Sequence, residues 1–157
     1  MDSKKVFPFF WVFVFFLLQN AAGFFIIQRT PVLLLLAILY YALSEGAGYG
    51  ALLGAFAGLL LEVFGQGRLG CEVLVFSAAG YLFGKSGSAF FRESLFSQFL
   101  FPLIAFYFMA LSRLLLYQFF SGSFDFSLVK ATFMPYDALV VLASAPVLFF
   151  FLRKVSR

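Results

Sequence analysis

The chain has 157 residues, 64% of them hydrophobic and 11% charged, with a net charge of +4 and a mean hydropathy of +1.03. A soluble domain carries about 25% charged residues, so this composition excludes one and points to an integral membrane protein. With no histidine and a single cysteine, Cys71, a histidine-based triad, a histidine-ligated metal site and an internal disulfide are excluded.

The first expected helix covers residues 6–27, an apolar run of about 22 residues behind Lys4 and Lys5. That length fits a membrane span. A cleaved signal peptide ending near Ala21-Ala22-Gly23 is the alternative, and an uncleaved anchor is the preferred reading. Pro31, placed where a helix can begin, opens a second apolar segment at residues 31–43. This is about 20 Å of helix against a hydrocarbon core of roughly 30 Å. A tilted span with Arg29 and Tyr40-Tyr41 at its two interfaces is expected, with a re-entrant hairpin as the alternative.

The third helix, residues 45–64, is expected to start behind Ser44 as its N-cap. Gly46, Gly50, Gly54 and Gly58 recur every four residues within it, and Glu62 takes the next step. At about 100° per residue such positions form a slanted ribbon, with Tyr49, Leu52, Leu53, Phe56, Leu59, Leu60 and Val63 on the opposite, bulky face. Glycine costs roughly 1 kcal/mol against alanine inside a soluble helix. In lipid it lets two backbones approach closely, so the four glycines are read as a packing spine.

Gly65, Gly67, Arg68 and Gly70 mark a turn before the fourth helix, residues 71–84. Its first turn holds Glu72, where a carboxylate suits the helix dipole. Ser77, Ala78, Ala79 and Gly80 form a small patch expected to receive the ribbon. The polar gap 85–97, with Phe90-Phe91-Arg92-Glu93, is compatible with a short interfacial helix or a lipid-facing aromatic pair. The fifth helix covers residues 98–120, with Pro102 early in it, and the sixth covers 135–152. The 27 phenylalanines show no repeat and are read as lipid-facing and core filler.

The expected fold is therefore all-α: a compact bundle of about six transmembrane helices forming a single domain, residues 1–157, with both termini cytoplasmic. Lys4, Lys5, Lys85, Arg92, Arg153, Lys154 and Arg157 share one side and Arg29, Arg68 and Lys130 the other, seven against three, which places the termini inside. Lipid headgroups account for these charges, and no nucleic acid is implied. With polar chemistry this sparse, no enzyme and no cofactor are expected.

Two intramembrane charges need an explanation. Glu62 lies in the last turn of the third helix, where the dipole disfavours a carboxylate. Either its oxygens accept N–H groups from the turn or the start of the fourth helix, or it pairs with Arg113. Arg113 lies about 10 Å below the end of the fifth helix by the helical rise. It either snorkels outward or meets Glu62, Glu72 or Asp137, and a buried pair would fix register more than add stability.

Laid out this way, residues 30–84 resemble the MreD family of bacterial rod shape-determining proteins. The resemblance rests on Thr30-Pro31-Val32-Leu33-Leu34, the run Gly50, Gly54, Gly58-Leu59-Leu60, the acid and turn Glu62, Gly65, Leu69-Gly70, and then Ala79-Gly80-Tyr81-Leu82-Phe83-Gly84. The family usually has Asp where this chain has Glu62, and often Asp where it has Val32. The resemblance implies a non-enzymatic scaffold of the cell-elongation machinery in the cytoplasmic (inner) membrane. It implies binding to an MreC-like single-span protein and, through it, to an MreB-like filament, a RodA-like glycosyltransferase and a transpeptidase that build peptidoglycan. The ribbon, Glu62 and the turn Gly67-Arg68-Leu69-Gly70 would serve that architecture. The rival reading is a substrate-binding membrane subunit of an energy-coupling-factor-type vitamin transporter, similar in size and helix number. Residues 6–27 lack the Ala-x-x-x-Ala contact those subunits generally carry.

Overall fold

Apolar segments in lipid satisfy their backbone groups internally, as helices, and the described chain is built that way. The computed structural model describes residues 3–23, 32–64, 70–86, 95–121 and 135–155. They form six helices: α1 (Ser3–Gly23), α2 (Val32–Glu45), α3 (Ala47–Phe64), α4 (Cys71–Lys85), α5 (Leu95–Ser121) and α6 (Pro135–Val155).

The short helix α2 is the centre. Ten of its 14 residues are buried, as expected of a helix that is apolar all round, and it touches each of the other five helices. Those five form a ring in the order α1, α3, α4, α5, α6. The first four junctions are made by packed helices, and the ring closes where the Trp11 and Phe151 rings meet edge to face at 5.5 Å. This is the segment for which a tilted span, or else a re-entrant hairpin, is expected from its length. Enclosure by five helices explains its shortness differently, since no lipid thickness has to be matched along its flanks.

Aromatic pairs fix the helix directions. Phe9 meets Tyr49 and Phe56, and Phe16 meets Phe64, so α1 runs parallel to α3. Gln19 near the end of α1 meets Leu34 at the start of α2, so those two are antiparallel, and α6 brings Phe149 to Tyr40 late in α2 and then Phe151 to Trp11 early in α1, so it runs with α2 and against α1. Phe83 meets Phe101 and Phe108, while Glu72 pairs with Arg113, so α4 and α5 are antiparallel. Successive helices alternate in direction, and the start of α1 and the end of α6 lie at one end of the bundle. Many of the phenylalanines are thus stitches between helices as well as surface.

The outer helices present apolar side chains outward, among them Phe10 on α1, Leu52 and Leu59 on α3, Leu111 and Leu115 on α5, and Phe150 on α6. Faces of this extent mark contact with lipid or another protein. α3 and the stretch Phe99–Phe120 of α5 are long and apolar enough to cross a membrane.

Several boundaries differ from expectation. Ser44 and Glu45 belong to the last turn of α2, and the Ser44 hydroxyl donates to the Tyr41 carbonyl at 3.2 Å, so Ser44 does not cap α3. Gly46 alone joins the two helices. Its N–H donates to the Ala42 carbonyl and its carbonyl accepts from the Gly50 N–H, both at 2.9 Å. One residue serves both helices because it adopts φ 99°, open to glycine without a steric penalty. α5 begins at Leu95, inside the expected polar gap. α6 continues through Arg153 and Lys154, cations suited to the negative end of a helix dipole. Arg29, Pro31 and the segment 90–93 lie outside the described residues.

Candidate functional site

The site is built from the two antiparallel helices α3 and α4. Gly50, Gly54 and Gly58 are buried against α4, and a Cβ at any of them would strike backbone. At Gly50 it would meet the Gly80 carbonyl oxygen and lie 2.5 Å from the Ala42 Cβ. At Gly54 it would strike the Phe76 carbonyl oxygen, and at Gly58 it would lie 2.6 Å from the Glu72 oxygen and from Val73 Cα. On α4, Gly80 faces the Gly50 carbonyl, and a Cβ on Gly84 would lie 2.6 Å from Ala47 Cα. The contact steps four residues along α3 as it steps four back along α4. Gly46 is outside this ribbon, since a Cβ there would meet nothing within 4 Å. Its requirement is its φ. Of the small patch expected to receive the ribbon, Gly80 does so, Ala78 is exposed, and the Ser77 hydroxyl donates to the Leu74 carbonyl.

At the next four-residue step, Glu62 is 7% exposed. One carboxylate oxygen, Oε1, accepts the backbone N–H groups of Glu72 at 2.7 Å and Val73 at 3.1 Å. These are two of the donors that a helix start leaves unpaired. Gly70, at the cap position with φ 93°, has no side chain to satisfy them. A carboxylate poorly placed for the dipole of α3 is well placed for that of α4.

The Glu72 side chain reaches instead to α5. Arg113 Nη2 donates to its Oε2 at 2.6 Å and Nε to the same oxygen at 3.1 Å. Both side chains are about a quarter exposed. The guanidinium lies 5.6 Å from the centre of the Phe76 ring, within cation–π range, and Phe76 is fully buried. Arg113 therefore pairs with Glu72, not with Glu62. Through one residue, Glu72, the end of α3 and the start of α4 are tied to each other and to α5 two turns inside its end. Among the described residues no group of three His, Cys, Asp or Glu is placed to hold a metal ion.

A family model for the rod shape-determining protein MreD matches residues 3–155. The chain belongs to the MreD family. No curated protein and no solved structure matches it. MreD membership makes it a membrane protein of the rod-shape machinery, a shape-determining structural component. The match runs well beyond residues 30–84, where the resemblance was read. It gives the vitamin-transporter reading no support.

Three features of this MreD-family chain escaped sequence reasoning. Gln19 on α1 accepts the Leu34 N–H at 3.2 Å, so α1 caps α2 much as α3 caps α4, both at the bundle end away from the termini. Its signal was a polar pair, Gln19-Asn20, inside an apolar run. Gly84 continues the ribbon on α4, and its four-residue spacing from Gly80 was visible. The choice of Glu72 as the partner of Arg113 had no signal, because Glu62, Glu72 and Asp137 were equally near in depth. Gly67 and Arg68 lie outside the described residues, as does the Asp137 side chain.

Proposed function

We propose that this MreD-family chain is a non-enzymatic scaffold of the cell-elongation machinery, a multi-pass protein of the bacterial inner membrane. Its single transmembrane domain of about six spans keeps both termini in the cytoplasm. It binds an MreC-like single-span protein and thereby helps organise peptidoglycan synthesis by a RodA-like glycosyltransferase and a transpeptidase beneath an MreB-like filament. The family match over residues 3–155 carries this reading. The alternating helix directions support it, since they bring Lys4 and Lys5 in α1, Lys85 in α4, and Arg153 and Lys154 in α6 to one end of the bundle, as the positive-inside rule asks of a cytoplasmic face.

A scaffold has to hold its outward face in fixed geometry. The glycine contact sets the spacing of α3 and α4, and the Glu62 and Glu72 contacts fix their register against each other and against α5. The smooth face of α3 is used internally, so the partner surface is sought on the bulky edge beside it, where Leu52 and Leu59 face outward, or on a neighbouring helix. The test is coexpression with the MreC-like protein. Near-stoichiometric copurification is expected, and its loss at equal expression would reject the reading. Single cysteines in a Cys71→Ser background, placed between α4 and α5 and between α5 and α6, should label from opposite sides. Equal labelling from outside would reject six spans.

A further inference from the structure

Gly48 is a glycine without a use inside the bundle. Gly50, Gly54, Gly58, Gly80 and Gly84 are required by backbone contact between α3 and α4, and Gly46 and Gly70 by their positive φ. Gly48 has neither reason. It sits exposed in the first turn of α3, its φ is not positive, and a Cβ there would meet nothing within 4 Å. A helical glycine is less stable than alanine, and no internal contact of Gly48 offsets that. Leu52, Ala55 and Leu59 follow it at intervals of four, three and four residues. At about 100° per residue these four positions fall within about 60° of arc, roughly 120° away from Gly54 and its contact with α4. Leu52 and Leu59 are 63% and 52% exposed and Ala55 is half-buried. A narrow apolar ridge, notched at Gly48, therefore faces outward from α3.

Glu45 stands three residues before Gly48, at the end of α2 and so at the same end of the bundle as the start of α1. It is exposed. Lys85 does not take it, although neighbouring Gly84 packs on Ala47; the ion pair formed among the described residues is Arg113 with Glu72. We propose, on the reading of this chain as a scaffold for a single-span protein, that the ridge Gly48, Leu52, Ala55 and Leu59 receives that protein's membrane span, with the basic residues of its cytoplasmic flank against Glu45. The missing Cβ at Gly48 lets a second backbone approach closely, and intervals of four, three and four residues are those with which one helix meets another. Charge selects the occupant. The cytoplasmic flanks of membrane spans are rich in Lys and Arg, which Glu45 attracts. A second copy, related by a two-fold axis along the membrane normal, would set Glu45 against Glu45. An anionic lipid headgroup would be repelled.

The full chain is coexpressed with the MreC-like protein, and recovery of the partner per copy of the chain is measured. Gly48→Leu fills the notch from the side that touches nothing in the bundle. It should hold or raise the unfolding midpoint while lowering recovery about tenfold. Glu45→Lys should lower recovery about fivefold, and exchanging the Lys and Arg residues of the partner's cytoplasmic flank for Glu should restore it. Lys85→Gln should leave recovery within about twofold of the wild-type value. In a Cys71→Ser background, Gly48→Cys and Leu52→Cys should each form disulfides with single cysteines placed along the partner's span, at positions three or four residues apart. Val147→Cys on α6, where Val147 is 69% exposed, should form none. Should Gly48→Leu fail to fold, the disulfides decide.

Full recovery of the partner with both Gly48→Leu and Glu45→Lys overturns the docking face while leaving the scaffold reading in place. So does a disulfide from Val147→Cys with none from Leu52→Cys, which would give the partner to α6. Absence of copurification with the unaltered chain rejects the scaffold reading and the docking face together. A disulfide between two copies through Gly48→Cys, undiminished by the coexpressed partner, would overturn the proposal in favour of a second copy.

Discussion

Gly54→Ala adds one methyl group at the middle of the α3–α4 contact. That methyl would strike the Phe76 carbonyl oxygen and would lie 2.6 Å from the Phe76 carbonyl carbon and 2.9 Å from the Ser77 nitrogen. All three are backbone atoms, and no rotamer change moves them. Ordinary contact needs about 3.5–4.0 Å, so the two helices must part by roughly 1 Å. A gap of that size forfeits about a quarter to a half of each dispersion contact along the ribbon, and overpacking costs about 1–3 kcal/mol. The gain of about 1 kcal/mol in helix propensity offsets part of this, leaving an expected loss of about 2 kcal/mol. Gly48→Ala is the control, because a Cβ there meets nothing within 4 Å and the propensity gain of up to about 1 kcal/mol should appear unopposed. Reversible unfolding in mixed micelles of dodecyl maltoside and dodecyl sulfate, followed by circular dichroism, measures both. The midpoints should move in opposite directions. If Gly54→Ala is as stable as Gly48→Ala, the glycines are not set by helix spacing and the geometric argument is wrong.

The same assay reads the acid network. Glu62→Ala leaves the Glu72 and Val73 N–H groups without their acceptor and should lose about 3 kcal/mol, whereas Glu62→Gln keeps an oxygen and should lose about 1. Arg113→Ala should lose about 2 kcal/mol, between the values for exposed and fully buried pairs. Adding Glu72→Gln should recover part of that loss, and adding Glu62→Gln should recover none. Recovery by Glu62→Gln would mean that Arg113 pairs with the other acid. Gln19→Leu should lose about 1 kcal/mol through the orphaned Leu34 N–H. Gly70→Ala should lose about 1–2 kcal/mol, because φ near 93° strains any residue with a Cβ; Gly70→Asn should lose less.

Much of the architecture was legible in the sequence because it depends on properties each segment carries alone. Apolar runs with no water to bond their backbone form helices wherever they fall, so the six helices follow from hydropathy. The ribbon at Gly50, Gly54 and Gly58 was visible as spacing, since a four-residue period on a helix needs no partner to be recognised. Glu62 was legible as an acid requiring an acceptor role, and the start of α4 was one of the two destinations its position allowed.

What the tertiary structure decided is how those segments meet. Gly46 reads as one more member of the four-residue series, yet its φ of 99° makes it a hinge between helices. That distinction depends on where α2 stops, which local preference for a Ser44 cap misjudged. The shortness of α2 reads as a mismatch to lipid until five neighbours are seen around it. Arg113 had three acids at a similar depth, and depth does not fix azimuth. Only packing α5 against α4 turns it toward Glu72 and Phe76. Sequence sets what each helix must do with its own backbone and its own apolar surface. The azimuth at which helices face each other is a property of the packed bundle, because it is chosen by contacts among residues far apart in the chain.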